Sequence, residues 1–325
     1  MAAATPWASA TDKVLKAHKV SQDEGLSDDQ VSTLREKYGP NELDKEEGTP
    51  LWQLVLDQFD DLLVKILLGA ACLSFALAFA EEGARIILSG RRVDALQTVA
   101  DALPTAYMIL PFDVTDFHSL RDLVDQAWAW AERVDILINN AGISQRSFAI
   151  DTDPEVYTHL LNVDLISPIW LTQLQLKLMA DAGGAHIVAI SSVAGRIGAP
   201  LRTAYSAAKH GLIGYMDALR SEVSVLNNIK VTNVLPGSVK TNIARNALTA
   251  DGTLRGISDA NIDDGDSPTE CAISILNAIK NNVPEIIFAK GMELELTEMR
   301  HKEPEKLFAL AEQLGAQLAR DGIPQ

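Results

Sequence analysis

Residues 84 to about 322 predict an α/β fold built on a doubly wound parallel sheet. Two observations carry that expectation. Apolar runs of strand length alternate regularly with amphipathic helical stretches, and the strands read as continuous apolar segments such as ARIILSG and AHIVAISS. Strands of that kind are buried on both faces, so helices must cover the sheet front and back. Right-handed crossovers then wind the sheet in both directions.

The first 83 residues have a different character. Helical signals run over Ser9 to Lys19, and Ser27-Asp28-Asp29-Gln30 forms a capping pattern that opens LSDDQVSTLREKYG, which Gly39-Pro40 ends. The loop GPNELDKEEGTP leads to a stretch whose apolar spacing suits a helix face and then becomes apolar all round. Leu62 to Ala80 carries Lys65 and Ser74 as its strongly polar residues, and its length approaches the roughly 20 residues that cross a bilayer. It reads either as a membrane helix or as a substitute strand and helix beside ARIILSG. The expectation is a helix through most of residues 55 to 80, with membrane contact through 62–80. Segment boundaries follow: a helical segment at 1–61, an apolar helix and junction at 62–83, and the α/β domain at 84–325.

From Ala84 the elements come in order. ARIILSG is a strand, VDALQTVADAL a helix, AYMILPFD a strand, HSLRDLVDQAWAWAE a helix and VDILINN a strand. A long helix runs from about Pro154 to Met179, followed by AHIVAISS, the helix TAYSAAKHGLIGYMDALRSEVSVL and the strand KVTNVLPG.

Bulk properties exclude some functions. The composition, 47% hydrophobic and 22% charged, is that of a globular protein. A formal net charge of −16 argues against a nucleic-acid surface, which needs clustered Lys and Arg. The two cysteines, Cys72 and Cys271, are far apart and give neither a disulfide framework nor zinc-ligand spacing. No metal is expected. The amino-terminal residues lack a basic start followed by an apolar core, so no cleaved signal is expected and a reducing compartment is the default. The cytoplasm is the expected location, or the endoplasmic reticulum membrane if 62–80 inserts.

The chemistry is concentrated in three side chains. Tyr205 and Lys209 are four residues apart in a helical stretch, so both project from one face. An ammonium beside a phenol favours the phenolate, which makes Tyr205 a general acid/base candidate. Ser192 ends the preceding strand, where a hydroxyl can hydrogen-bond a carbonyl or alcohol oxygen at the carboxyl end of the sheet. A Tyr and a Lys at this spacing are common on ordinary helices, and the surrounding motifs make the difference.

ISSVAGRIGAPLRTAYSAAKHG, with NNAG at 139–142, DVTD at 113–116 and PGSVKT at 236–241, resembles the short-chain dehydrogenase/reductase family in order and spacing over about 240 residues. The resemblance implies a Rossmann-like fold and a hydride moved between NADP(H) and a small-molecule carbonyl or alcohol. It makes Tyr205 the proton donor or acceptor, Lys209 the residue that tunes it and holds the nicotinamide ribose, and Ser192 the ligand of the substrate oxygen. Asp113 and Val114 would face the adenine, and Asn139, Ala141 and Gly142 the adenosine ribose region. Pro236, Gly237, Val239 and Thr241 would lie on the nicotinamide side, and a homo-oligomer is implied.

Coenzyme choice has a physical basis. A carboxylate after the second strand suits a ribose 2′-hydroxyl, whereas a 2′-phosphate wants a guanidinium. Ser89-Gly90-Arg91-Arg92 offers no acid before Asp94, so NADP(H) is favoured with Arg91 first and Arg92 beside it, unless one or both are solvated loop residues.

Two departures stand out. Asp164 occupies the place of the family's relay asparagine, with Asn162 two residues away and facing elsewhere. The family's first strand and TGxxxGxG turn, whose glycines let backbone approach a pyrophosphate, have no counterpart ahead of Ala84, where Gly69 and Gly83 flank AACLSFALAFAEE. The first strand is therefore missing or substituted.

Residues 10 to 83, through GLSDDQVSTLREKYGPNEL and DQFDDLLVKILLGAACLSFALAF, resemble the amino-terminal end of sarcoplasmic/endoplasmic reticulum type calcium-pumping P-type ATPases. The phosphorylation loop, actuator loop and later membrane acids of such a pump do not occur in this sequence, so ion transport by it is excluded. AFAEEG fits both families, and the two halves meet at that phrase as in a chimeric gene, a fusion transcript or a misassembled gene. A catalytically impaired fusion, or a binding protein using the pump-like helices, are the competing expectations. Three weaker features complete the reading. His210 is expected to be packed or solvated. Trp128 and Trp130 belong to core and interface, and Thr241 to Asp266 to a substrate-covering loop.

Overall fold

Parallel strands and covering helices make up most of the described part of the computed structural model, which comprises residues 11–20, 23, 25–38 and 74–323. The chain divides into two units, residues 1–57 and 58–325. In the first, α1 spans Thr11–His18 and α2 spans Asp28–Tyr38. The capping box forms at α2: the Ser27 amide donates to Gln30 Oε1 at 3.0 Å, and the Gln30 amide to Ser27 Oγ at 3.4 Å.

The second unit holds two parallel sheets. One pairs β1 (Ile86–Gly90) with β2 (Tyr107–Pro111). The other runs β3 (Ile136–Asn139), β4 (Ala185–Ile190), β5 (Ile229–Pro236) and β6 (Glu285–Phe288), in that order. Among the described residues no strand joins β1 to β3, the position in which a first strand was expected to be missing or substituted. Most of the segment expected to replace it, 62–73, lies outside the described residues, as does most of the helix expected over 55 to 80. Residues 74–81 are helical and form α3. Among the described residues no helix is long and apolar enough to cross a membrane.

What α3 touches explains its place. Ala76 is buried against Leu88 of β1 and against Val99 and Ala100, while Phe75 packs on the cluster of Val188, Val234, Cys271 and Ile275 from the other sheet. The helix thus touches the core of both sheets, through two adjacent residues that point about 100° apart. Ser74 Oγ lies 3.0 Å from Thr269 Oγ1, and Glu82 pairs with Lys280 at 2.8 Å, which fixes the helix at both ends.

The remaining helices are α4 (Val93–Ala100), α5 (Leu120–Ala131), α6 (Pro154–Leu161), α7 (Ser167–Asp181), α8 (Thr203–Val223), α9 (Ala260–Asp263), α10 (Pro268–Lys280), α11 (Gly291–Lys302) and α12 (Pro304–Asp321). Strand β4 shows why both faces are covered. Ile187 and Ala189 meet Leu212 and Met216 of α8 on one face, and Val188 meets Ile275 of α10 on the other. That is the period of two expected of a strand buried on both sides. The long helix expected from Pro154 to Met179 is interrupted by a π-helical turn at Asn162–Ile166 and continues to Asp181. Trp128 packs on the core and donates to Gln175 Oε1 at 3.3 Å, and Trp130 carries the Arg85 guanidinium 4.4 Å above its ring.

If α3 bridges the sheets, Ala76→Asp will place an unpaired carboxylate in an apolar seam and lower unfolding stability by more than about 2 kcal/mol. Glu81→Ala, on the exposed side of the same helix, will change it by less than about 0.5 kcal/mol. Urea unfolding of both variants checks the contrast.

Candidate active site

Parallel strands deliver their carboxyl ends to one edge of a sheet, and the sequence-predicted residues collect there. Asn139 is the last residue of β3, Ser192 follows β4 and Pro236 ends β5, while Arg91 and Asp113 follow β1 and β2. The hydroxyl of Ser167, at the start of α7, donates to the Val114 carbonyl at 2.7 Å and ties the loop after β2 to this edge.

Ser192 caps a short 3-10 turn, Val193–Gly195, with its Oγ accepting from the Ala194 amide at 3.1 Å. The same hydroxyl donates to the Pro236 carbonyl at 3.3 Å, a long bond that leaves it open to exchange for a stronger acceptor. Tyr205 lies in the first turn of α8, half-buried against Leu160, Ala204 and Ala208. Lys209, one turn on, is 3% exposed. Its Nζ donates to the Ile190 carbonyl at 3.0 Å, stands 3.1 Å from Asp164 Oδ2 and lies 5.6 Å from the Tyr205 ring centroid.

Asp164 is fully buried, and the π-turn is what carries it into the crevice. Its Oδ1 accepts from the Ile143 amide at 2.8 Å. Burial raises the carboxyl, more than the Lys209 charge and the Ile143 amide lower it. Burial depresses the Lys209 ammonium, but the Asp164 charge and the neighbouring Tyr205 lift it above the ordinary lysine value. Gly142 packs closely here: a Cβ at that position would lie 3.2 Å from Asp164 Oδ2 and 3.3 Å from Lys209 Nζ, so both side chains would have to shift. The NNAG loop therefore passes directly over the ion pair.

After β1 and β2, Arg91 Nη1 lies 3.8 Å from Asp113 Oδ2, and neither side chain is buried. Burial acts to raise the Asp113 carboxyl, but hydrogen bonds from the Thr115 amide and hydroxyl and the charge of Arg91 leave it below the ordinary value. Arg92 is exposed and starts α4 without a side-chain cap bond. Asn139 is buried and donates to Thr172 Oγ1 at 3.1 Å, with its Oδ1 unpartnered. Ala141 is exposed beside it.

On the opposite side, Gly237 and Val239 lead to Thr241, whose Oγ1 accepts from the Ile243 amide at 3.4 Å. Glu293 of α11 grips this turn, accepting from the Ser238 amide and hydroxyl, each at 2.8 Å. His210 is exposed, with Nδ1 2.8 Å from the Ser206 carbonyl, in keeping with a solvated residue. Burial pushes the Cys271 thiol up to about 11, which leaves it unreactive. Among the described residues no group of His, Cys, Asp and Glu could hold a metal ion.

Sequence reading missed Glu293, the π-turn and a buried charge cluster at Arg146 and Asp259. The π-turn had no signal beyond Ser167-Pro168, whose proline has no amide to donate within the helix. Arg146, between Gln145 and Ser147 just after NNAG, was the one visible sign of the cluster.

A doubly wound α/β unit with a serine after its fourth described strand, and a tyrosine and lysine one turn apart on the next helix, defines a class of dehydrogenase. The comparisons agree. Residues 68–252 match the short chain dehydrogenase family model, and residues 6–74 the model of the cation transporter/ATPase amino terminus. The chain is 34% identical over 252 residues to dehydrogenase/reductase SDR family member 7B of Bos taurus, covering 75% of this chain and 76% of that one. It is 36% identical over 242 residues to dehydrogenase/reductase SDR family protein 7-like of Drosophila melanogaster, covering 72% and 74%. Among solved structures, a short-chain dehydrogenase from Streptomyces avermitilis shares the fold at 23% identity and a TM-score of 0.64, over 77% of this chain and 96% of that one. A short chain dehydrogenase/reductase from Burkholderia phymatum in complex with NAD does so at 21% and 0.65, over 73% and 90%. The chain belongs to the short-chain dehydrogenase/reductase family. It carries ahead of that domain a segment of the cation-transporting ATPase amino-terminal type.

Asp164→Asn will remove the charge that lifts Lys209 and leave the burial that lowers it, so the lysine pKa will fall below its value in the parent chain. The sign in stability follows. A raised lysine contributes fully below its unfolded value near ~10.4 and loses that contribution as pH rises through the higher folded value. The parent chain will show this alkaline loss and the variant will not. Titration of the Lys209 Cε resonance measures the shift, and a lysine that titrates unchanged in Asp164→Asn would remove Asp164 as its partner.

Proposed function

We propose that this oxidoreductase moves a hydride between NADP(H) and a carbonyl/alcohol pair, with Ser192, Tyr205 and Lys209 as its reaction centre. The observation that carries the reading is the buried Lys209 ammonium 5.6 Å from the Tyr205 ring centroid, on the helix that follows β4 and Ser192. The residues present fit a nicotinamide coenzyme at both ends. Gly142 keeps the crevice floor free of side chain above Lys209, and Arg91 stands at the end of β1 where a 2′-phosphate would be met. When bound, the coenzyme supplies or accepts the hydride.

The chain's own residues handle the proton and the oxygen. The Ser192 hydroxyl turns from Pro236 to donate to the substrate oxygen, and the Tyr205 hydroxyl donates its proton to that oxygen in reduction and takes it back in oxidation. The Lys209 ammonium stabilises the phenolate that this leaves behind. Asp164 and the Ile190 carbonyl hold the lysine in place from below.

Arg91 supports the choice of NADP(H) over NAD(H), because its exposed guanidinium is held by Asp113 at 3.8 Å and is free to exchange that weak pairing for a phosphate. A second reading, a catalytically impaired fusion, draws on a separate observation. The two family matches overlap at residues 68–74, where a phosphate-binding turn belongs. The pump-like residues at that place offer Gly69 alone. Coenzyme affinity well below that of an intact relative is the expected consequence.

Three measurements test these readings. Tyr205→Phe will abolish turnover and leave NADPH binding, followed by fluorescence titration, nearly unchanged; full turnover in that variant takes Tyr205 out of the reaction. Arg91→Ala will weaken NADPH binding by about 1.5–3 kcal/mol and NADH binding far less, whereas equal weakening of both would refute the 2′-phosphate assignment. Replacing residues 1–83 with a strand and TGxxxGxG turn will tighten NADPH binding if the cradle is lacking.

A further inference from the structure

Outside the reaction centre, the most concentrated buried charge among the described residues lies between the loop after β3 and residues 241–266. Asp259 meets three arginines from three segments. Arg146 approaches Oδ2 with Nε at 2.8 Å and Nη2 at 2.5 Å, Arg255 pairs with Oδ1, and Arg202 Nη2 stands 3.6 Å from Oδ2. The side chains of Arg146 and Arg255 are 5% and 7% exposed, and Asp259 is 15% exposed, so solvent does not screen the cluster as it would a surface pair.

Two of the three segments adjoin Tyr205, and the third is tied to them. Arg146 lies four residues past Gly142, in the loop over Asp164 and Lys209. Arg202 precedes α8, three residues before Tyr205. Arg255 lies in the chain expected to cover substrate. Backbone bonds connect the same pieces: the Arg146 amide to the Leu248 carbonyl at 2.9 Å, the Leu248 amide to the Ser144 carbonyl at 2.8 Å, and the Arg255 amide to the Ala247 carbonyl at 2.9 Å. From Arg146 the linkage continues through its neighbour. Gln145, fully buried, accepts the Ala204 amide on Oε1 at 2.9 Å, one residue before Tyr205. Arg146 Nη1 holds that loop by donating to Ser144 Oγ at 2.8 Å and to the Gln145 carbonyl at 2.7 Å.

We propose that Asp259 is a positioning residue for Tyr205: by drawing Arg146, Arg202 and Arg255 onto one carboxylate, it locks residues 241–266 and the loop after β3 against the start of α8. The charge balance makes the carboxylate indispensable. Without it three guanidiniums face one another in a space poor in water, and Arg146, already lowered by burial and by Arg202, has no anion among the described residues to stay for. Consistent with that, the Arg146 and Arg255 bonds hold the Asp259 carboxyl below its ordinary value in spite of its burial.

The positioning role rests on Tyr205 being the acid/base group, but the lock itself can be read without coenzyme or turnover. Amide hydrogen exchange in the full chain, comparing parent, Asp259→Asn and Asp259→Glu, gives that readout. In Asp259→Asn the amides of Arg146, Leu248, Arg255 and Ala204 will exchange at least tenfold faster, while those within β4 and β5 stay as in the parent, and Asp259→Glu will restore part of the protection. Where turnover is measurable, kcat will fall more than KM rises. Unchanged exchange at all four amides overturns the lock. Faster exchange in the 241–266 segment with Ala204 unchanged overturns the positioning role, and a uniform rise through β4 and β5 reduces Asp259 to general stability. A normal lock response in a chain with no turnover in any variant would count against the oxidoreductase reading instead.

Discussion

A buried ammonium needs a carboxylate or a set of carbonyls at contact distance, and the crevice of this chain is arranged around that requirement at Lys209. Removing one partner of such a pair typically costs about 3–5 kcal/mol, because the survivor is left charged and unsolvated. Meeting it takes three separate local features. The π-turn at Asn162–Ile166 rotates Asp164 inward, the end of β4 points the Ile190 carbonyl at Nζ, and glycine at 142 lets the loop after β3 close over both. Each feature would be a local irregularity without the lysine. Together they hold the ammonium beside the Tyr205 ring.

The aspartate is also a departure with consequences. An asparagine at this place would satisfy the lysine with a dipole, whereas Asp164 brings a full charge that burial works against. The two opposing pulls make the proton on Lys209 more tightly held than in a neutral setting. Any proton path running through the lysine therefore meets a base strengthened by its neighbour, and the alkaline limb of such a path moves upward in pH.

Much of this was legible in the sequence, and the reasons are specific. Strands β1 to β5 were readable because each is apolar on both faces and ends in a distinctive turn, and Tyr205 with Lys209 because a four-residue spacing on a helix fixes their common face. Asp164 was placed by its position in the long helix, but the turn that delivers it was not, since a π-turn is an insertion in backbone geometry with little sequence signature. Strand β6 and helices α10 to α12 went unread: Glu285–Phe288 is four residues long and half-covered, and Leu307 is the one deeply buried apolar residue of α12. The Arg146–Asp259 pair spans 113 positions and could not be inferred from spacing at all.

The same geometry explains how the proposed reaction centre can be held in place in a chain whose sequence ahead of Ala84 lacks a TGxxxGxG turn. Ser192, Tyr205, Lys209 and Asp164 are positioned by β4, α8 and the helix pair α6–α7, and these pack on β3, β5 and α10. What the first strand of a doubly wound sheet normally contributes to that half is an apolar neighbour for β3, and Phe75 of α3 joins the same apolar cluster as Ile136 and Ile138 of β3. Apolar packing depends on volume and tolerates a changed sequence so long as the space is filled. A pyrophosphate cradle depends on backbone amides at defined positions, which only glycines in a particular turn present. If one family's helix stands in for another's across the AFAEEG phrase, as the proposed fusion implies, the packing function is conserved and the cradle is not. On that proposal, folding of the α/β half and binding of a coenzyme are separable properties of this chain.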